Sequence, residues 1–158
     1  AQHSIKNNQP LLVVATGGGM KMQESIISLN QMTRTTLAIN ELKTKKIPYI
    51  VLFADPVAGG ITASYAMLGD IQIAEPGALI AFAGRRVIEG TVKEELPENF
   101  QKSEHVQACG FVDTIIQRKD LTEKIGILLS ILLKRQSDVK IEDGDKTSED
   151  NIENREAS

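Results

Sequence analysis

Short apolar runs, each followed by a cluster of small residues, set the rhythm of the chain. Leu11-Leu12-Val13-Val14-Ala15-Thr16 and Tyr49-Ile50-Val51-Leu52-Phe53-Ala54 are continuous apolar stretches, the pattern of parallel strands buried on both faces. Between them Met22, Ile26, Leu29, Met32 and Leu42 recur at roughly helical spacing, which predicts an amphipathic helix over about 23–45. Strand, helix and strand then make a right-handed crossover. Further on, 60–68 reads as a short helix ended by Gly69, 71–74 as a strand, 75–78 as a turn and 79–83 as another strand. Gly84 opens a helix near 85–91, 101–108 reads as a helix that Gly110 ends, and 111–116 as a brief strand. Asp120 and Glu123 stand at capping-box spacing before a last helix over 121–135.

The same pattern divides the chain. Residues 1–10 read as a polar stub with no element of its own, 11–135 as one α/β domain, and 136–158 as an acidic tail too poor in apolar anchors to order. A sheet that opens at residue 11 leaves an edge and an apolar face for something else to cover, so the domain reads as partial.

Composition narrows the class. The chain has 158 residues, enough to bury one core, and 41% hydrophobic with 25% charged residues is ordinary for a globular protein. With no Trp, two Tyr and four Phe, that core must be aliphatic. No run of about 18 uncharged apolar residues is present, so no membrane span is expected. The opening residues have neither a signal-peptide core nor transit-peptide character. The one cysteine, Cys109, leaves no partner for an internal disulfide or a multi-cysteine zinc site, and no metal is expected in this chain. Of the net charge of −3, residues 138–158 carry eight acids against three bases, so the body before them is slightly basic. That suits a small anion and is too weak for a nucleic-acid footprint, which would also need aromatic stacking residues.

The chemistry concentrates in two glycine clusters, Gly17-Gly18-Gly19-Met20-Lys21 after the first apolar run and Ala58-Gly59-Gly60 after the second. A residue without Cβ lets an oxygen approach the backbone N–H closely, and the leading amides of a helix attract an anion. Neither cluster is a phosphate-binding motif. Read alone they specify two strand-to-helix turns and a candidate anion site, with the amides of Gly18, Gly19, Gly59 and Gly60 as oxyanion donors.

Longer strings carry a family resemblance. Gly18-Gly19-Met20-Lys21-Met22-Gln23-Glu24 is similar to the G-G-A-R-M-Q-E of the carboxyltransferase β subunits of bacterial and plastid acetyl-CoA carboxylase. Asp55 to Ser64 resembles their D-P-T-x-G-G-V-x-A-S, Met67 to Pro76 their M-L-G-D-x-x-I-A-E-P, and Ile80 to Glu89 their I-x-F-A-G-x-R-V-I-E. The likeness runs over about residues 10–135. It implies a crotonase-type α/β spiral, present here in part, and a transferase subunit of the ATP-dependent complex that makes malonyl-CoA for fatty-acid synthesis.

The resemblance further implies transfer of a carboxyl group from biotin, held on a biotin carboxyl carrier protein, to the coenzyme A thioester acetyl-CoA. It implies a hetero-oligomer with a carboxyltransferase α subunit, in the bacterial cytoplasm or the plastid stroma. Candidate substrate contacts are Gly17, Met20, Lys21, Ala58, Phe82, Gly84 and Arg86. The family's four-cysteine zinc ribbon and first sheet units are absent from the sequence, which reads either as a processed or split chain or as a reduced subunit completed by a companion chain that supplies them. Lys21 stands where the motif has arginine, keeping the charge and losing the planar fork. The alternatives are a non-catalytic assembly subunit of the same complex, or another crotonase-type acyl-CoA enzyme.

Remaining residues read more plainly. Ser64 resembles the nucleophile position of serine peptidases of this fold, yet the later strand has no histidine, and His3 and His105 lie elsewhere. Glu75 and Glu89 read as a turn carboxylate and a helix-face ion pair rather than an acid–base pair. Cys109 reads as a small buried hydrophobe.

Overall fold

A computed structural model describes residues 1–134. Four strands, β1 (Leu11–Gly17), β2 (Tyr49–Val57), β3 (Ile71–Ala74) and β4 (Thr114–Ile115), form one parallel sheet in that spatial order. The helix α2 (Ile26–Thr44) crosses over between β1 and β2. The 23–45 expectation thus holds, with a 3-10 turn at Met22–Glu24 in front of the α-helix. Helices α3 (Arg85–Val92), α4 (Ser103–Ala108) and α5 (Leu121–Leu132) follow as the breaks at Gly84 and Gly110 indicate.

The apolar run of β2 is continuous because both its faces are covered. Tyr49, Val51 and Phe53 are fully buried with Ala15, Ile39, Leu42 and Val106 on one side. Ile50 and Leu52 face the other way, joining Ile73 and Ile116 beneath Leu121, Ile125, Leu128 and Leu129 of α5. The Tyr49 hydroxyl donates to the Tyr65 carbonyl at 3.0 Å, and burial, then the neighbouring Tyr65, push its ionisation far up. Tyr49→Phe should therefore cost about 1 kcal/mol in denaturant unfolding, the size of a neutral buried hydrogen bond. An unchanged unfolding free energy would show that Tyr65 finds another donor.

β1 forms one edge of the sheet. Leu12 and Val14 pair in register with Ile50 and Leu52, yet they stay exposed because α5 does not extend over them.

Several sequence expectations are corrected. Residues 1–10 are not a featureless stub: Gln2–Asn7 forms α1, with Ser4 buried and Ala1 and Ile5 on the core. The predicted stripe of α2 is not a buried face. Only Ile39 and Leu42 are buried, while Ile26 is 67% exposed and Leu29 55%, because only the second half of the helix reaches the sheet.

The stretch 60–68 is a series of turns with one 3-10 turn at Ala66–Leu68, not an α-helix. The Ser64 hydroxyl takes the Gly60 carbonyl and the Ala66 amide reaches back to Ile61, so side chain and turn compete with the helical ladder. The stretch 79–83 makes only isolated bridges, Val57↔Ile80 and Leu79↔Lys102. Asp120 caps α5 without a side-chain bond, so the capping box does not form. Arg135 and the tail 136–158 lie outside the described residues.

Candidate active site

Parallel pairing of β1 with β2 delivers both glycine clusters to one end of the sheet, where the strands' carboxyl ends open. The register shifts between Ala15 and Gly17, setting Gly17 opposite Val57. The Ala58 amide then donates to the Gly17 carbonyl at 3.0 Å and ties the two loops at their base. Gly19 has φ +121 and Gly59 φ +60, and a Cβ built on Gly59 would lie 3.1 Å from the Gly19 Cα. The loops therefore touch backbone to backbone at positions that favour glycine twice, by conformation and by space.

The amides divide into two groups. Those of Gly18, Gly19, Met20 and Gly60 donate to nothing among the described residues. Gly59 is a correction: its N–H donates to the Phe82 carbonyl at 3.1 Å, so it anchors the second loop to 79–83 instead of standing free for a substrate oxygen. Ala58 is occupied in the same way. Phe82 thus enters the site through its carbonyl, while its side chain is 70% exposed.

Side chains complete the surroundings. The Met20 side chain lies across Gly60, and beside it is an open cavity of about 150 Å³ lined by Met20, Gln31, Met32, Ile61 and Tyr65 among others. Lys21 turns toward Glu24 at 3.7 Å and is largely exposed. Gly84 caps α3, and the exposed Arg86 is bound to the loops by no hydrogen bond. Arg85, its neighbour, is the tethered arginine, held by Glu89 at 2.8 Å and by the carbonyls of Leu96 and Pro97. The structure thus gathers Gly17, Gly18, Gly19, Met20, Ala58, Gly59 and Gly60, and leaves Gly84 and Arg86 without a link to them.

Two supporting residues carried no sequence signal strong enough to single them out. The buried Thr62 hydroxyl lies 2.8 Å from the carbonyls of both Gly59 and Ala81, locking the second loop to 79–83. Gln101 donates its side-chain amide to the Ala83 carbonyl at 2.8 Å and accepts from the Ile80 amide at 2.9 Å. A threonine beside Gly-Gly is a weak hint, and a glutamine some forty positions downstream gives none.

Of the remaining candidates Ser64 alone lines the cavity beside Met20. The Ser64 hydroxyl points to the Gly60 carbonyl at 2.6 Å, and His105 packs against Phe100 with ring centroids 5.7 Å apart. Cys109 is exposed rather than buried, with its sulfur 3.9 Å from His105 Nε2. No group of His, Cys, Asp and Glu suited to a metal occurs among the described residues, and no helix there is long and apolar enough to cross a membrane.

Glu75 and Glu89 serve different arginines. Arg118 grips both Glu75 oxygens, at 2.6 and 2.8 Å, and its hydrogen bonds hold that carboxyl below the usual range. A carboxyl lowered in the folded state stabilises above its unfolded pKa and loses that stabilisation as pH falls. Arg118→Gln should therefore lower the melting midpoint at neutral pH, and the gap from wild type should close as pH falls below the usual carboxylate range. A gap independent of pH would show that the pair acts through packing alone.

The carboxyl transferase domain model matches residues 1–152. The acetyl-coenzyme A carboxylase carboxyl transferase subunit beta of Pelagibacter ubique is 68% identical over 149 residues, covering 94% of this chain and 48% of that protein. The chain spans about half the length of the curated relatives it matches. Among solved structures, transcarboxylase 12S with methylmalonyl-coenzyme A and methylmalonic acid bound superposes with a TM-score of 0.72 at 24% identity, covering 82% of this chain and 25% of that one. An enoyl-CoA hydratase from Thermoplasma volcanium superposes at 0.57 with 14% identity, covering 86% and 64% of the two chains. The fold is accordingly crotonase-type, present here as part of a domain. Matched over nearly its whole length, the chain belongs to the carboxyl transferase domain family.

Proposed function

We propose that this chain is the acyl-CoA-binding part of an acetyl-CoA carboxylase carboxyltransferase β subunit. The observation that carries the reading is the meeting of the two glycine loops, with the amides of Gly18, Gly19, Met20 and Gly60 left without partners. Such amides fit the oxygen of a thioester as it takes up negative charge, because fixed dipoles aimed at the developing charge need no reorganisation. The adjoining apolar cavity offers the acyl end a place beside the amides.

In the balanced reaction the acetyl-CoA α-carbon gives up a proton and bonds the carboxyl carbon, while the N–C bond of carboxybiotin breaks and the proton ends on the biotin nitrogen. This chain's part is to hold the thioester oxygen on the free amides while the α-carbon carries the negative charge. Gly17, Ala58, Gly59 and Phe82 keep the two loops in register. Lys21 follows the free Met20 amide in the chain and is largely exposed beside Glu24, a cation available to an anionic part of the coenzyme A. Biotin on a carrier protein, a carboxyltransferase α subunit and a zinc ribbon from the other half of the relatives' length complete the assembly, in the bacterial cytoplasm.

The test uses the full-length protein containing this chain, with its α subunit and carboxylated carrier. Acetyl-CoA should be converted to malonyl-CoA. Hydration of an enoyl-CoA without malonyl-CoA would favour another crotonase-type enzyme. Transfer that depends on a second, separately catalytic β-type chain would favour the assembly role.

A further inference from the structure

We propose that the Met20 side chain sets the acyl length this site accepts, closing it around a two-carbon acyl group. The inference rests on the acyl-CoA reading above and adds a specificity determinant to it. A Cβ built on Gly60 would lie 2.2 Å from Met20 Cγ and 3.0 Å from its Sδ, so the thioether chain lies directly against the Gly60 backbone. The Gly60 amide is one of the four without a partner. Two long side chains reach the junction: Ile61 lies against Gly17 at its base, and Met20 lies against Gly60 beside the free amides.

Geometry then ties chain length to Met20. A thioester oxygen held by the free amides places the carbonyl carbon beside Gly60. The α-carbon must stay open to the incoming carboxyl group. In this pose a β-carbon, one bond further, would meet the Met20 side chain where it lies against Gly60, at the edge of the cavity that Met32, Ile61 and Tyr65 also line. One methylene in an apolar pocket is typically worth 10- to 200-fold in discrimination. Methionine deforms easily, which puts the expectation here at the lower end, about 10-fold.

The experiment measures kcat/KM of the full-length complex for acetyl-, propionyl- and butyryl-CoA, with wild type, Met20→Ala and Met20→Leu. Wild type should lose about 10-fold at the first added methylene. Met20→Ala should raise the propionyl-to-acetyl ratio by about 10-fold, whatever its effect on the absolute rates, and Met20→Leu, which refills the space, should not raise it. A wild type that uses propionyl-CoA as well as acetyl-CoA overturns the proposal even if Met20→Ala fails to fold. So does an unchanged ratio in Met20→Ala, or an equal rise in both variants. In those cases continued malonyl-CoA formation leaves the carboxyltransferase reading standing. A wild-type complex that carboxylates no thioester removes both.

Discussion

Gly59→Ala is expected to cost roughly 3- to 10-fold in carboxyl transfer, although it removes no functional group. Two effects combine at this residue. Its φ of +60 is a left-handed conformation that costs an L-residue about 1–2 kcal/mol. Its new Cβ would lie 3.1 Å from the Gly19 Cα, backbone against backbone, so no flexible side chain can yield and the loops must separate. The contact asks for a separation of a few tenths of an ångström, and since a displacement of about 1 Å in positioned groups costs about 100-fold, the expected loss is roughly 3- to 10-fold.

The two effects can be parted with Gly77, which has φ +68 and nothing within 4 Å of its Cβ position. Gly77→Ala should lower stability by a similar 1–2 kcal/mol, approximately the left-handed cost alone, and leave kcat/KM unchanged. The measurements are steady-state kinetics and denaturant unfolding on both variants. A Gly59→Ala enzyme no slower than Gly77→Ala would mean that contact between the loops is not what positions the amides.

How much of this site could be read beforehand follows from which interactions are local. β1 and β2 were legible because a strand buried on both faces has no choice but to be apolar throughout, as Tyr49 to Phe53 are. The glycine clusters were legible because Gly19 and Gly59 answer to backbone conformation, which the residue type reports directly. The occupancy of individual amides was not. Gly59 and Gly60 are equivalent in sequence, and only the path of 79–83, which brings the Phe82 carbonyl to Gly59, distinguishes them.

The turn region failed for a related reason. Gly60 to Leu68 has helical spacing, but Thr62 and Ser64 direct their hydroxyls onto the carbonyls of Gly59, Ala81 and Gly60, bonds that reach partly across the fold. In α2 the periodicity specified a helix correctly. It could not say that only the end bearing Ile39 and Leu42 would reach the sheet.

The central claim is that bare backbone amides at the junction of the two loops stabilise the reacting oxygen, and Gly18 is where it can be tested most directly. Its φ lies outside the left-handed region and a Cβ there meets nothing within 4 Å, so alanine finds space with the N–H kept, whereas proline removes that N–H. The decisive measurement is kcat for malonyl-CoA formation by Gly18→Pro relative to Gly18→Ala, in full-length complexes with matching melting midpoints. Loss of one oxyanion donor predicts a ratio lower by about 100- to 1,000-fold. Equal rates in the two variants would contradict the account.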